Sequence, residues 1–301
     1  MKQTMRRLKQ DRYIYLMLAP VILYFLVFKY WPMSWLSISF FDYKLLWGFV
    51  GSEFVGLQHY LDFFNSIDFW QIMANTVLLN IYGLLFVFTV PIIFALLLNE
   101  LKVLRFKKFV QTVSYLPYFI SIMVVVSMIF TFLSPSVGAL NGFLKSMGFE
   151  PIYFLGDPKY FRSIHIISGI WQTTGWSAII YLSTLSGIDP MLYEAATVDG
   201  AGRFKQMFHV TLPGLRSTIL ILFIMQIGKM LNVGFEKVFL LQNPLNSSVS
   251  EVLSTYVYKQ GIINSNVSYA TAIGVFNSVV SLILVLTANW VIKKISKVSI
   301  W

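Results

Sequence analysis

Long apolar stretches, each near the ~20 residues that a helix needs to cross a hydrocarbon layer, dominate the chain. They fall at residues 13–36, 76–98, 110–132, 164–185, 215–235 and 269–292. Each predicts a transmembrane helix, because a soluble fold would have to hide all of them from water at once. The first stretch is too long for the apolar core of a cleaved signal peptide, and it runs into Trp31-Pro32-Met33-Ser34-Trp35. It reads as a retained helix. Between the first two stretches, Leu57, Tyr60, Leu61, Phe64, Ile67 and Phe69 alternate with His59, Asp62, Asn65 and Asp68. That spacing suits an amphipathic helix that lies near the membrane surface or covers the bundle. Pro20, Pro91 and Pro117 fall inside predicted helices, where each should kink the backbone. With no fixed-period repeat and no linker, residues 1–301 are expected to form a single all-α domain.

Composition agrees with lipid as the solvent. The 301 residues are 57% hydrophobic and only 12% charged, against roughly 25% charged in soluble domains, and the mean hydropathy is +0.70. A net charge of +10 would suit nucleic acid, but the placement of the basic residues argues otherwise. Lys2, Arg6, Arg7, Lys9 and Arg12, then Lys102, Arg105, Lys107 and Lys108, then Arg203, Lys205 and Arg216, and finally Lys293, Lys294 and Lys297 fall on one side of the predicted spans. The other side holds Lys44, Lys145, Lys159, Arg162, Lys237 and Lys259. The richer side is the cytoplasmic one, which puts both termini there. Cysteine is absent, which excludes disulfides and thiolate sites. His59, His165 and His209 lack metal spacing, no Gly-x-x-x-x-Gly-Lys-Ser/Thr phosphate loop occurs, and no nucleophile–base motif is present. No catalytic residue, metal or cofactor is therefore assigned to the chain.

The richest stretch is the second inner loop, residues 187–213. Asp189 is a good N-cap and Pro190 suits a first helical position, so a short helix should start there. Gly200 and Gly202 should interrupt it, with Asp199 just before the bend. A second short helix over 203–209 would place Phe204 and Phe208 on one face, and Pro213 could then open the fifth span. Ala195, Ala196 and Ala201 let another backbone come close. Such a bend suits docking into a groove on a partner protein, the alternative being a loop folded on its own bundle.

The residues Glu194-Ala195-Ala196, three further residues, Gly200, nine more, Val210, one residue and Leu212-Pro213 resemble the cytoplasmic signature of permease subunits of binding-protein-dependent ABC importers. Val210 stands where isoleucine is usual. Weaker support comes from Leu18-Ala19-Pro20, Asn75-Thr76, Tyr115-Leu116-Pro117 and the stretch from Ile227 to Glu236. The likeness is greatest to the carbohydrate-uptake branch, the polysaccharide-type permeases related to the maltose and glycerol-phosphate permeases. It implies an ABC importer type I permease fold in a bacterial-type plasma membrane, with a coupling helix formed by the loop. It also implies a second homologous permease, two ATPase subunits that hold ATP and Mg, and an extracytoplasmic solute-binding protein. The implied solute is an oligosaccharide or polysaccharide fragment, with glycerol-phosphate compounds or monosaccharides as alternatives.

Gln226, Lys229 and Asn232, with Glu236 at the outer end, are expected on adjoining faces of the fifth helix. A lysine is costly in lipid, so Lys229 should face a polar cavity or a partner. These residues are the candidate translocation path, and Trp171 and Trp176 are candidates for stacking on sugar rings. A stand-alone secondary transporter would favour inverted repeats and intramembrane carboxylates, neither of which is evident.

Overall fold

The computed structural model describes residues 11–44, 46–296 and 299. Lys2, Arg6, Arg7, Lys9 and Lys297 of the basic pattern lie outside the described residues. In chain order the elements are α1 (Arg12–Phe40), β1 (Phe41–Lys44), β2 (Gly48–Phe54), α2 (Gln58–Asn65), α3 (Phe69–Asn99), α4 (Leu104–Phe119) and α5 (Ile122–Leu133). They continue with α6 (Ala139–Ser146), α7 (Pro158–Ser186), α8 (Pro190–Val198), α9 (Arg203–Ile227), α10 (Phe235–Leu241), α11 (Ser247–Ser250), α12 (Leu253–Tyr258) and α13 (Val267–Ser296). Helices α1, α3, α9 and α13 are each long and apolar enough to span a membrane, and α4 with α5 forms a fifth, bent candidate. Helix α7 has 29 residues, ample to cross, but it is more polar than the others.

The chain divides into two compact units, one of residues up to 66 with 257–276, the other of 67–256 with residues from 277 onward. In the first, every described side chain from Asp11 to Leu36 is exposed, as suits a helix with lipid for its solvent. A short antiparallel hairpin, which the apolar pattern did not anticipate, follows α1 and pairs Phe41 with Phe54 and Lys44 with Gly48. The expected amphipathic helix is α2, but it stops at Asn65, where Ser66 turns extended, and Phe69 already belongs to α3. Its anchor is Phe63, buried against the rings of Phe276 and Tyr269.

The second unit is arranged around α7. At one end Phe161 joins Leu79, Val126, Leu155 and Val238 in a buried cluster. At the other, Ala178, Tyr181 and Leu185 pack with Ile92, Ala95 and Leu215 of α3 and α9. Polar ties supplement these contacts. Asn75, buried on α3, donates to the carbonyls of Ser248 and Glu251 at 3.0 and 3.1 Å and accepts from the Arg162 guanidinium at 3.0 Å. The adjacent Thr76 hydroxyl accepts from the Leu253 amide at 2.9 Å. Buried Lys237 donates to the His165 carbonyl at 2.9 Å. Asp157 caps α7 by accepting from the Lys159 amide at 3.0 Å, and this bond, helped by the Lys159 ammonium, holds its carboxyl below the usual carboxylate value.

Several expected spans are corrected. The third is not one rod over 110–132: α4 and α5 meet at 98°. Pro117 lacks an amide hydrogen, the backbone tightens over Leu116–Phe119, and Ser121 restarts the helix by accepting from the Val124 amide. The break lies against α7, where Gln172 Nε2 donates to the Ile120 carbonyl at 3.2 Å. Gly175 makes this approach possible, since a Cβ there would lie 2.1 Å from the Ser114 carbonyl oxygen. Pro213 does not open a new helix either. The helix over 203–209 and the fifth span are continuous in α9, with a π turn at Met207–Thr211 relieving the clash that Pro213 would make with the preceding turn. Pro91 follows a similar π turn at Gly83–Val87, and Pro32 one at Leu26–Tyr30. Finally, α9 ends at Ile227 rather than reaching residue 235, and the chain is non-helical from Gly228 to Gly234.

Gly175→Ala should destabilise the protein by about 1–3 kcal/mol through overpacking against the Ser114 carbonyl. A thermal unfolding midpoint in detergent that matches the wild type would contradict the clamp.

Candidate functional site

Two features stand out in the second unit, an exposed loop and a cavity. The loop, residues 187–213, joins α7 to α9. Asp189 caps α8 as expected, its carboxylate accepting from the Met191 amide at 2.9 Å. At the other end Gly200 adopts φ +74°, a conformation that side chains disfavour. There the Gly200 amide bonds to the Thr197 carbonyl at 3.0 Å and the Ala201 amide to the Ala196 carbonyl at 2.9 Å. This pair of bonds is the Schellman arrangement, which satisfies the last carbonyls of a helix when a glycine follows its end. The spacing from Glu194-Ala195-Ala196 to Gly200 is thus the spacing of a helix end and its stop. Gln206 closes the bend from the far side, donating to Thr197 Oγ1 at 2.9 Å and to the Ala201 carbonyl at 3.0 Å.

The loop does not fold onto its own bundle. No residue of α8 is buried, and Met191, Leu192, Val198, Phe204 and Phe208 are all exposed. Its base is fixed, however. Ile188 fills the space beside Gly214, where a Cβ would lie 2.5 Å from Ile188 Cδ1. The Tyr193 hydroxyl meets Thr211 Oγ1 at 3.2 Å, and Thr184 of α7 meets Thr218 of α9 at 3.1 Å. Asp189, Glu194, Asp199 and Arg203 are exposed beside the apolar residues, while Leu212 and Pro213 lie within α9.

The cavity, about 340 Å³, lies between α3, α7 and α9. Val87, Phe88 and Pro91 enter it from α3, Thr173, Trp176, Ser177, Ile180 and Tyr181 from α7, and Leu222, Met225 and Gln226 from α9, with Lys229 just past the end of α9. The α7 residues recur at intervals of three and four, one face of a helix, so this wall was readable from spacing. The α3 wall follows the π turn before Pro91. Trp176 is stacked on Tyr118 with ring centres 4.7 Å apart and planes 6° apart, and it meets Phe119 edge-on at 5.6 Å. Trp171 lines no part of the cavity.

The predicted path residues therefore part company. Gln226 and Lys229 meet in the cavity, but Asn232 and Glu236 do not line it, because the fifth helix ends before them. Asn232 Oδ1 instead accepts from Asn277 Nδ2 of α13 at 2.9 Å, and Glu236 is an exposed acid in the first turn of α10. Asn277 has no part in any sequence motif and was missed for that reason.

Residues 88–297 match the model of the binding-protein-dependent transport system inner membrane component family. The chain belongs to that family. It is similar to Protein LplB of Bacillus subtilis (strain 168), 46% identical over 290 residues, with 96% of this chain and 91% of the relative covered. The polygalacturonan/rhamnogalacturonan transport system permease protein YteP of the same organism is 45% identical over 300 residues, covering 100% of this chain and 94% of that one. A crystal structure of a bacterial ABC transporter involved in the import of the acidic polysaccharide alginate matches with a TM-score of 0.91 at 40% identity, over 98% of this chain and 99% of that one. The same likeness, also at a TM-score of 0.91, holds for the alginate transporter in complex with its alginate pentasaccharide-bound periplasmic protein. The mostly helical permease fold, with one short hairpin added, and the membrane-permease character expected from the loop motif are thus shown.

Asp189→Ala removes the side-chain cap of α8 and should cost about 1 kcal/mol of local stability. Hydrogen exchange of the purified permease should then speed up over residues 190–198 while α7 and α9 keep their protection; unchanged exchange in α8 would contradict the cap.

Proposed function

We propose that this permease pairs with a second homologous permease to form the path of an ATP-driven carbohydrate importer, and that residues 187–213 couple the path to the ATPase subunits. The observation that carries this reading is one of connection. The exposed loop is continuous with α7 at one end and α9 at the other, and these two helices supply most of the cavity wall. A push on the loop moves both walls.

In this reading Glu194, Ala195, Ala196, Asp199, Gly200, Ala201, Phe204 and Phe208 dock on an ATPase subunit, with Leu212 and Pro213 passing the displacement into α9. Phe204 and Phe208 are the natural anchors, because exposed aromatics beside small residues fill grooves well. ATP and Mg belong to two ATPase subunits, because Gly228-Lys229 is followed by methionine and forms no phosphate loop. The chain itself carries no catalytic site. The loop and both termini face the cytoplasm of a bacterial-type cell, and an extracytoplasmic solute-binding protein delivers solute from the other face. A saccharide is the solute favoured by the relatives' transport of polysaccharides and by a cavity that combines Trp176 with hydroxyls and an amide. Gln226 and Lys229 line its path; Asn232 supports the path through Asn277 instead of lining it.

Mild-detergent isolation of the tagged chain from native membranes should recover a second permease and an ATPase; recovery of the chain alone, under conditions that preserve known complexes, would overturn the assembly. Gly200→Asp should uncouple the complex. Loss of about 2 kcal/mol at a docking hot spot weakens ATPase binding by about thirtyfold. Normal coupled uptake by that variant would refute the role of the loop.

A further inference from the structure

Among the described residues that line the cavity, Lys229 is the only charged one and none is Asp or Glu. The other polar groups there, Thr173, Ser177, Tyr181 and Gln226, are neutral. Among the described residues the Lys229 ammonium has no hydrogen-bond or ion-pair partner. An unpaired cation at a membrane-spanning site is costly unless an anion arrives to meet it.

The backbone holds this lysine in place independently of any helix. Gly228 packs so closely on α13 that a Cβ would lie 2.5 Å from Val285 Cγ2, and three residues beyond Lys229 the Asn232 side-chain Oδ1 accepts from Asn277 Nδ2 at 2.9 Å. Between these two anchors the Lys229 amide bonds to the Gln226 carbonyl at 3.0 Å, and its carbonyl accepts from the Asn232 amide at 2.8 Å. Its backbone groups are therefore used, and only the ammonium is left to interact. In the lining of the same cavity the Trp176 indole is stacked on Tyr118. An aromatic surface and an unpaired, exposed ammonium lining one cavity suit a sugar ring that carries a negative charge: the ring lies on the indole and the charge meets the ammonium.

We propose that this cavity is a subsite for an acidic saccharide, in which Lys229 pairs with an anionic ring substituent such as a uronate carboxylate and Trp176 supports the ring. The proposal rests on the reading of the cavity as the solute path and names the chemical class that the path accepts. Lys229 becomes the residue that sets charge preference, and Gln226 with the hydroxyls serves ring hydroxyls of any sugar.

The test uses the assembled importer in lipid nanodiscs, without its solute-binding protein, so that the selectivity measured is that of the permeases. Binding of trigalacturonate, its methyl ester and uncharged galactotriose is compared. The acid should bind about tenfold more tightly than the ester, the scale of one charge-assisted hydrogen bond. Lys229→Met should abolish that preference, Lys229→Arg should retain it, and Trp176→Ala should weaken acid and ester alike. Equal affinity for acid and ester in the wild type, as when an acid of the second permease already neutralises Lys229, would overturn the charge subsite and leave the saccharide path intact. A preference that survives Lys229→Met would overturn it too. Binding of none of the three would overturn the path reading and the subsite together.

Discussion

Everything distinctive in this fold follows from the absence of water in the bilayer. A backbone that leaves the helical ladder there must find its hydrogen bonds inside the protein. The chain leaves the ladder at Pro117 and again from Gly228 to Gly234, and both departures are covered. Gln172 of α7 satisfies the Ile120 carbonyl beside the first, and Gly175 lets the two backbones come together. The second is closed by turn bonds between Gln226, Lys229 and Asn232 and is held to α13 through Asn277. The polarity of α7 is explained by the same requirement. A helix that must serve a neighbour's broken backbone and face a cavity needs Gln172, Thr173 and Ser177, and those residues lower its apolarity below that of the lipid-facing spans.

The geometry also connects the exposed loop to the cavity. Helix α9 has 25 residues, about 37 Å at 1.5 Å per residue, with Phe204 exposed near its start and Gln226 lining the cavity near its end. The π turn before Pro213 lies between them, at the point where the exposed loop enters the bundle. A helix with a hydrogen-bond shift at one turn can bend there while each half stays rigid. The base of the loop is tied by Tyr193 to Thr211, inside that turn, so displacement of α8 is delivered at the place best able to absorb or redirect it.

How much of this was legible depends on whether the signal was local. The cap at Asp189 and the stop at Gly200 are local chemistry, and the sequence disclosed them through residue type and spacing. The ends of the third and fifth spans were not legible in the same way. An apolar run keeps the same composition whether its helix is straight or broken, so 110–132 and 215–235 read as rods. Pro117 was visible as a kink, but a 98° turn depends on Gly175 and Gln172, more than fifty residues away. Likewise Gly228 and Gly234 frame the non-helical stretch, yet the three- and four-residue spacing of Gln226, Lys229 and Asn232 imitated one helical face. The hairpin of β1 and β2 escaped because its strands are short and its pairing partners polar as well as aromatic.

That the lysine stands in a break and not on a helix has a further consequence. On a helix its side chain would be surrounded by neighbours three and four positions away, and a change of charge would disturb their packing. Here the backbone on either side is fixed by other residues, Gly228 against Val285 and Asn232 against Asn277. Replacing the side chain at 229 alters the charge of the cavity and little else, whereas any side chain at 228 collides with α13. Cavity charge and bundle packing are thus assigned to adjacent positions that can be changed separately. The same separation holds across the cavity, where Gly175 carries the tight contact with α4 and its neighbour Trp176 presents the aromatic surface.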